Sequence, residues 1–429
     1  MRGYSVTLLV ALTVSLATSA VADSLPDVMR QVLQQHPDVR SSLAQLNISA
    51  ERLKQAQSSF YPTLGLDGVA SEAKDIDSGV PGDRSTRRAD VFLRWNLFRG
   101  QGDRHGRRSA EFDQLAADAG LDDVQEQVAM QLAQAYLDVL RLRRLLALEA
   151  DYIADYRRLN EDVTKRVESG RIAVADLEQA RAGLIQARLQ ESQLRGQLRS
   201  AEAFYGLLVG APPGELVEPT FDDSAAGQGL EALMQQALAE SPRVRSALQR
   251  AAARGEDVGV AAAGLLPSFD LELRKRLVSN IDPVPQVDTR RAAQIQFNYQ
   301  LPLGGGSFSR KREAVERKQA ALAMADSELL RARGEIAQQW AAWREAREIA
   351  HDLAARVAAS DKVVQAYDLQ FSAARRSISD LISARGEAFR ARYDLLDNRM
   401  QQLSSSAQIL SLLGRLRKSM LGEATLASR

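Results

Sequence analysis

Residues 91–97 read VFLRWNL. In an extended chain successive side chains point to opposite faces, so Val91, Leu93, Trp95 and Leu97 share one face and Phe92, Arg94 and Asn96 the other. QIQFNYQL (294–301) sets Ile295, Phe297, Tyr299 and Leu301 against Gln294, Gln296, Asn298 and Gln300. PSFDLELR (267–274) sets Phe269, Leu271 and Leu273 against Asp270, Glu272 and Arg274, and YPTLGLDG (61–68) is a weaker fourth case. One apolar and one strongly polar face over about ten residues is what a transmembrane β-strand needs, with lipid on one side and water on the other. Leu93, Trp95, Leu97, Phe269, Leu271, Phe297 and Tyr299 are the candidate lipid-facing residues. Tyr61, Trp95, Phe98, Phe269 and Tyr299 lie near strand ends, where an aromatic girdle would sit. A single such segment is better read as a half-buried sheet in a soluble domain. Four of them, in pairs beside very long helical patterns, favour the membrane. Four strands cannot close a barrel, and an open sheet edge does not survive in lipid, so the strands must be pooled from several subunits.

Working outward, the start of the chain supports export. Arg2, the apolar run VTLLVALTVSLA and the small residues of Ala20-Val21-Ala22 read as a signal peptide over residues 1–22, cleaved after Ala22. Nowhere else is there an apolar run of about 18 residues, so no transmembrane helix is expected after processing. The 429 residues contain no cysteine, which excludes disulfides, thiolate metal sites and a lipid-modified N-terminal cysteine. Removing residues 1–22 takes away Arg2 and no acid, leaving 55 basic and 55 acidic residues. A neutral exported chain has no general attraction for nucleic acid. With 26% charged and 5% aromatic residues, the composition suits long helices with narrow apolar seams.

The chain repeats itself. VLQQHPDVRSSL (32–43) matches ALAESPRVRSAL (237–248), FYPTLGLDG (60–68) faces LLPSFDLEL (265–273), and WNLFRG (95–100) faces YQLPLG (299–304). ESGRIAVADLEQAR (168–181) returns as SAARRSISDLISAR (372–385). The first repeat is expected over 23–210, with strands near 60–70 and 89–98 and a hairpin tip near 168–181. A Pro/Gly/Asp-rich linker (211–229) leads to the second over 230–414, with strands near 266–277 and 292–302 and a tip near 372–385, followed by a tail, 415–429. Each half reads helix, strand, strand, long helix, return helix. Val315, Leu322, Leu329, Ile336, Trp343, Ala350, Val357, Val364 and Phe371 recur every seven residues, a coiled-coil seam. In the first half a similar stripe, less regular, runs from Val124 to Ile153 inside a helix expected from about 101 to 168, on the order of 100 Å long.

The polar segments between paired strands, 71–88 and 278–291, are expected as cell-surface turns, and FRGQGDRHG (98–106) and PLGGGSFSR (302–310) as joints from strand to helix. GGGS is not followed by the Gly-Lys-Ser/Thr of a phosphate-binding loop. His36, His105 and His351 are scattered, no catalytic constellation stands out, and no cofactor or metal is expected. His36 precedes Pro37 as a helix-start residue, and Trp340 and Trp343 read as packing residues rather than a ligand cage.

These features, in this order, resemble the TolC family of outer-membrane efflux and secretion channels. The residues that carry the likeness are HPDVRSSLAQLNISAERLKQAQSSFYPTLGL, WNLFRG, GRIAVADLEQAR and ARRSISDLISARGEAFRARYDLL. The resemblance implies a homotrimer in the outer membrane of a Gram-negative cell. Four strands per subunit would form a 12-stranded barrel, continued by helices as a periplasmic tunnel. A periplasmic adaptor (membrane fusion) protein and an inner-membrane ABC transporter or other pump would dock at the far end. Matching by position, Asp380 falls at the acidic ring of the aperture and Arg376 where a basic residue links to a neighbouring hairpin, with Asp176 as its partner. Three departures accompany the match. Ser383 stands where a second acid occurs, Phe371 where a tyrosine occurs, and Ala374 where the turn glycine occurs, so the second tip is expected to turn differently from the first, which keeps Gly170. Gly170, Arg171, Ala374 and Arg375 would form the tip turns and the adaptor contact. RRSISDLISAR and WNLFRG look more like members serving type I protein secretion; export of drugs, metals or other small molecules is the alternative. A periplasmic adaptor or coiled-coil scaffold is a remote third reading, since an adaptor would show one hairpin rather than two.

Overall fold

The computed structural model describes residues 24–75, 82–281 and 290–422. The expected signal peptide and its cleavage site lie outside the described residues. In chain order the elements are α1 (Leu25–Gln35), α2 (Pro37–Ser58), β1 (Thr63–Asp75), β2 (Gly82–Arg99), α3 (Gly102–Glu168) and α4 (Val174–Val209). The second half begins with α5 (Ser224–Gly227) and α6 (Leu230–Glu240), then α7 (Pro242–Ala263), β3 (Ser268–Ile281) and β4 (Arg291–Asn298). It ends with α8 (Gly306–Ser372), α9 (Ile378–Leu412) and α10 (Leu416–Leu421). The segment from 415 onward, expected as a tail, therefore carries a short helix at Leu416–Leu421.

Local chemistry sets the boundaries. Prolines occupy the first positions of α1, α2 and α7, where the missing N–H costs nothing. Ser24 caps α1 through Asp27, and the His36 ring accepts the Asp38 N–H at 3.3 Å, confirming it as a helix-start residue. α3 and α8 have 67 residues each, about 100 Å of rod. None of the described helices is long and apolar enough to cross a membrane.

The strands form one antiparallel sheet in the order β1-β2-β3-β4. The register stacks Leu64, Leu93, Leu273 and Ala293 in one row, and Trp95, Leu271 and Ile295 in the next. An irregularity between Asn96 and Phe98 shifts Leu97 out of this alternation, and Phe98 pairs with Phe269, which pairs with Phe297. Ring centroids in this aromatic row are 6.2 and 5.2 Å apart. The opposite face is polar. Glu272, 1% exposed, accepts from Arg94 at 2.9 Å and pairs with Arg274 at 2.9 Å, while Arg274 and Arg276 reach Asp90 at 3.2 and 3.3 Å. Asn96 donates to Asp270 at 2.8 Å. Phe92 sits on this polar face between Arg94 and Arg274 and covers Gly65, where a Cβ would lie 2.3 Å from the Phe92 ring.

β1, β2 and β3 run further outward than the sequence suggested, into the expected turns 71–88 and 278–291, of which 76–81 and 282–289 lie outside the described residues. β4 instead stops at Asn298, short of 302. Its partner β3 begins at Ser268, and the residue before it is Pro267, which has no N–H to extend the ladder. Tyr299 lies just beyond the strand.

Below the sheet, α2, α3, α7 and α8 lie side by side, and further down the wall is the hairpins α3/α4 and α8/α9. The linker 211–229 is strapped across the first hairpin. Tyr136 Oη donates to the Val217 carbonyl at 2.7 Å and accepts its N–H at 2.8 Å, and Arg143 donates to the Pro213 carbonyl at 3.0 Å. Trp343 is buried with Ile336, Leu233 and Leu413 where α6 docks on α8, and Trp340 Nε1 donates to the Ala226 carbonyl at 3.1 Å. Both tryptophans are packing residues.

Candidate functional site

The far end of the molecule is two helical turns. At the first, Gly170 has φ 67°, its N–H donates to the Val167 carbonyl at 2.9 Å, and the Arg171 N–H donates to the Arg166 carbonyl at 2.9 Å. At the second, Ala374 has φ 56°, with its N–H on the Phe371 carbonyl at 3.0 Å and the Arg375 N–H on the Gln370 carbonyl at 2.8 Å. The two tips turn alike, against the expectation drawn from Ala374. These bonds satisfy the last carbonyls of the helix, and they hold an alanine in a left-handed conformation that costs roughly 1–2 kcal/mol. Gly170, Arg171, Ala374 and Arg375 are all exposed.

The return helices begin differently. Ser377 Oγ accepts the Asp380 N–H at 3.2 Å. Ala173 has no side-chain acceptor, so α4 makes only the reverse contact, the Ala173 N–H donating to Asp176 Oδ2 at 3.3 Å. Both acids thus lie in the first turn of a helix, where the unpaired N–H groups favour a carboxylate. Arg376 Nη1 lies 3.7 Å from Asp380 Oδ2, and its guanidinium sits 4.1 Å from the Tyr367 ring centroid. Among the described residues no ion pair joins Asp176 to Arg376 within one subunit. Ser383 is exposed one turn beyond Asp380.

Phe371 is 5% exposed, in a cluster with Tyr156, Leu159, Val163, Leu177 and Leu381 that joins the two hairpins. Arg166 covers its ring at 4.7 Å and donates to its carbonyl at 3.2 Å. Other ties between hairpin helices escaped the sequence reading. Gln179 donates to Ser379 Oγ at 3.2 Å, Asn160 to the Ala180 carbonyl at 3.1 Å, and Arg385 to the Asp155 carbonyl at 3.1 Å while pairing with Asp368 at 2.6 Å. Tyr152 stacks on Phe389 at 4.3 Å and meets Tyr156 edge-on at 4.9 Å. The available signal was the aromatic spacing Tyr152/Tyr156 and Phe389/Tyr393, four apart in each helix.

One turn nearer the sheet, Glu149 is 1% exposed and neither oxygen has a hydrogen-bond partner. Burial, and then the nearby Glu191 carboxylate, push its carboxyl up to about 7. No group of residues able to hold a metal occurs among the described residues.

A family model described as "Outer membrane efflux protein" matches residues 28–208 and again 233–415, one copy on each half of the repeat. The chain belongs to that family. It is 22% identical over 414 residues to outer membrane efflux protein BepC of Brucella suis, covering 96% of this chain and 89% of BepC. It is 26% identical over 334 residues to protein CyaE of Bordetella pertussis, covering 72% of this chain and 67% of CyaE. The outer membrane protein VceC of Vibrio cholerae superposes with a TM-score of 0.79 at 18% identity, over 91% of this chain and 96% of that one. This TolC-family chain thus has the fold of trimeric channels whose barrel continues into a helical tunnel. Family and fold are those of channel proteins, not enzymes. The family's members are outer-membrane efflux channels of tripartite systems.

Proposed function

We propose that this channel is the exit duct for type I protein secretion, docked through an adaptor on an inner-membrane ABC transporter. The observation that carries the cargo reading is the second tip, RRSISDLISAR, which resembles secretion members and presents one acidic residue per subunit, Asp380, with the neutral Ser383 one turn on. A single acidic ring at the entrance obstructs a passing acidic polypeptide less than two would. The name of BepC supports the second reading, small-molecule efflux. The discriminating experiment deletes the gene and compares culture supernatants with drug and metal susceptibility. Loss of a large secreted protein, restored by the intact gene, is expected; an unchanged supernatant with increased susceptibility would overturn the secretion reading.

In the same proposal the tips are the gate. Asp380 forms the aperture ring, and the Asp176 to Arg376 link runs between hairpins of neighbouring subunits, because within a subunit Asp176 holds the α4 start and Arg376 rests on Tyr367 and Asp380. Phe371 and Arg166 form the hinge core behind it. Gly170, Arg171, Ala374 and Arg375, the outermost exposed residues, meet the adaptor. The apolar face carrying Leu93, Trp95, Phe269, Leu271 and Phe297 meets lipid, with Phe98 joining the row that Leu97 leaves and Tyr299 at its lower edge.

A further inference from the structure

Cations gather where the sheet becomes the helical wall. The first two turns of α3 carry Arg104, Arg107 and Arg108, and those of α8 carry Arg310, Lys311 and Arg312, all exposed. Arg107 lies 3.5 Å from Glu111. Among the described residues the other five have no carboxylate partner; Arg310 donates to Ser307 Oγ and Arg312 to Ser309 Oγ, each at 3.1 Å. Cations that go without carboxylates on a chain as rich in acids as in bases point to an anionic partner.

Arg108 and Arg312 are on the outside of the wall, and Arg104 precedes Arg108 by one helical turn. In a supercoiled helix residues seven apart keep one face. The line from Arg108 runs through Leu115 to Asp122, which pairs with Arg417 of α10 at 3.2 Å. The line from Phe308 runs to Ile336 under α6, and that from Arg312 to Trp340, bonded to Ala226 of α5. The short helices α5, α6 and α10 would fill the tunnel if they lay on its inner side, so the face they share is the outer one. Large apolar side chains accompany the cations: Leu303 is 98% exposed, Tyr61 71% and Phe308 48%. Trp95 Nε1 donates to the Phe60 carbonyl at 3.0 Å, placing an amphipathic ring at the lower rim of the apolar face.

We propose that this collar binds the phosphates of anionic phospholipids in the periplasmic leaflet of the outer membrane, with Leu303, Phe308 and Tyr61 among the acyl chains. The proposal rests on the channel reading, which sets the sheet in the membrane and the helices below it. The depth agrees: Arg104 to Arg108 lie within roughly 10 Å of the helix start, and a headgroup layer is about 5–8 Å deep. Each basic side chain near an anionic surface adds about fivefold in affinity.

The test is native mass spectrometry of the detergent-extracted trimer with equal amounts of phosphatidylglycerol and phosphatidylethanolamine. Wild type is expected to carry phosphatidylglycerol adducts about tenfold in excess, and the R104Q/R108Q/R312Q variant to lose the preference while remaining trimeric in the same spectra. R317Q, whose partner is Glu313 at 2.5 Å, is expected to keep it. Equal adducts on wild type, or an undiminished preference in the triple variant, would overturn the collar. Displacement by inorganic phosphate would overturn the lipid assignment, as would capture on purified cell-wall sacculi lost in the triple variant without any lipid preference. A detergent-independent monomer would refute the channel reading instead.

Discussion

Ala374 and Glu149 each hold an unfavourable state that one substitution removes. Ala374 sits at φ 56°, where a Cβ is crowded, while the other tip uses glycine at φ 67°. Ala374→Gly is expected to stabilise the second tip by about 1 kcal/mol, offset in part by the greater freedom of glycine in the unfolded chain. Slower amide exchange at Arg375 and Arg376 would show it; faster exchange would contradict it. Glu149, with its carboxyl raised to about 7, is held in its neutral form by the fold. The folded state therefore binds a proton that the unfolded state releases near pH 4.5. Its contribution is fully present below about pH 4.5 and is lost as pH rises towards 7. Glu149→Gln is expected to raise the thermal midpoint at pH 8 and to leave it nearly unchanged at pH 4; equal shifts at both would contradict the assignment. The family likeness placed Ala374 at the turn but not its left-handed conformation, and the burial of Glu149 was not legible in the sequence. The turn at Ala374 is imposed by bonds to the helix behind it, and the burial of Glu149 depends on which face of α3 meets α4.

At the scale of elements, the sheet was read from alternation alone and the structure keeps both faces. What alternation could not supply was the ladder of partners. Glu272 bridges Arg94 on β2 and Arg274 on its own strand, a cross-strand choice fixed by register. The irregularity at Leu97 and the early end of β4 were hidden for the same reason, since both depend on the neighbouring strand. Glu272→Gln is expected to weaken the β2–β3 pairing by about 1.5–3 kcal/mol, the range for hydrogen bonds to charged groups. A lower temperature for loss of the folded, heat-modifiable barrel band would report it, and an unchanged band would remove the ladder from the account. The long helices were legible because their seam repeats over many heptads. The ties across the tip were not, apart from the aromatic spacing, because polar side chains such as Gln179 and Asn160 carry no periodic signal.

For the whole molecule, the two halves of the chain make one wall element with a membrane sheet above and two matching turns below. The sheet leaves β1 and β4 without outer neighbours in a single chain, a condition that lipid forbids and a closed barrel from several subunits removes. At the other end, in the proposed gate, partly exposed tip charges would set the aperture weakly. The proposed Asp176 to Arg376 link would be worth about 0.2–1 kcal/mol, and three in a trimer would shift a two-state opening by roughly 3-fold to 160-fold. Single-channel recording in planar bilayers tests the channel and its gate together. Wild type is expected to insert as discrete low-conductance events, and the Asp176→Ala, Arg376→Ala double variant to show larger or longer openings; an absence of discrete channels, or the same conductance and open time in both proteins, would contradict a channel gated at these tips.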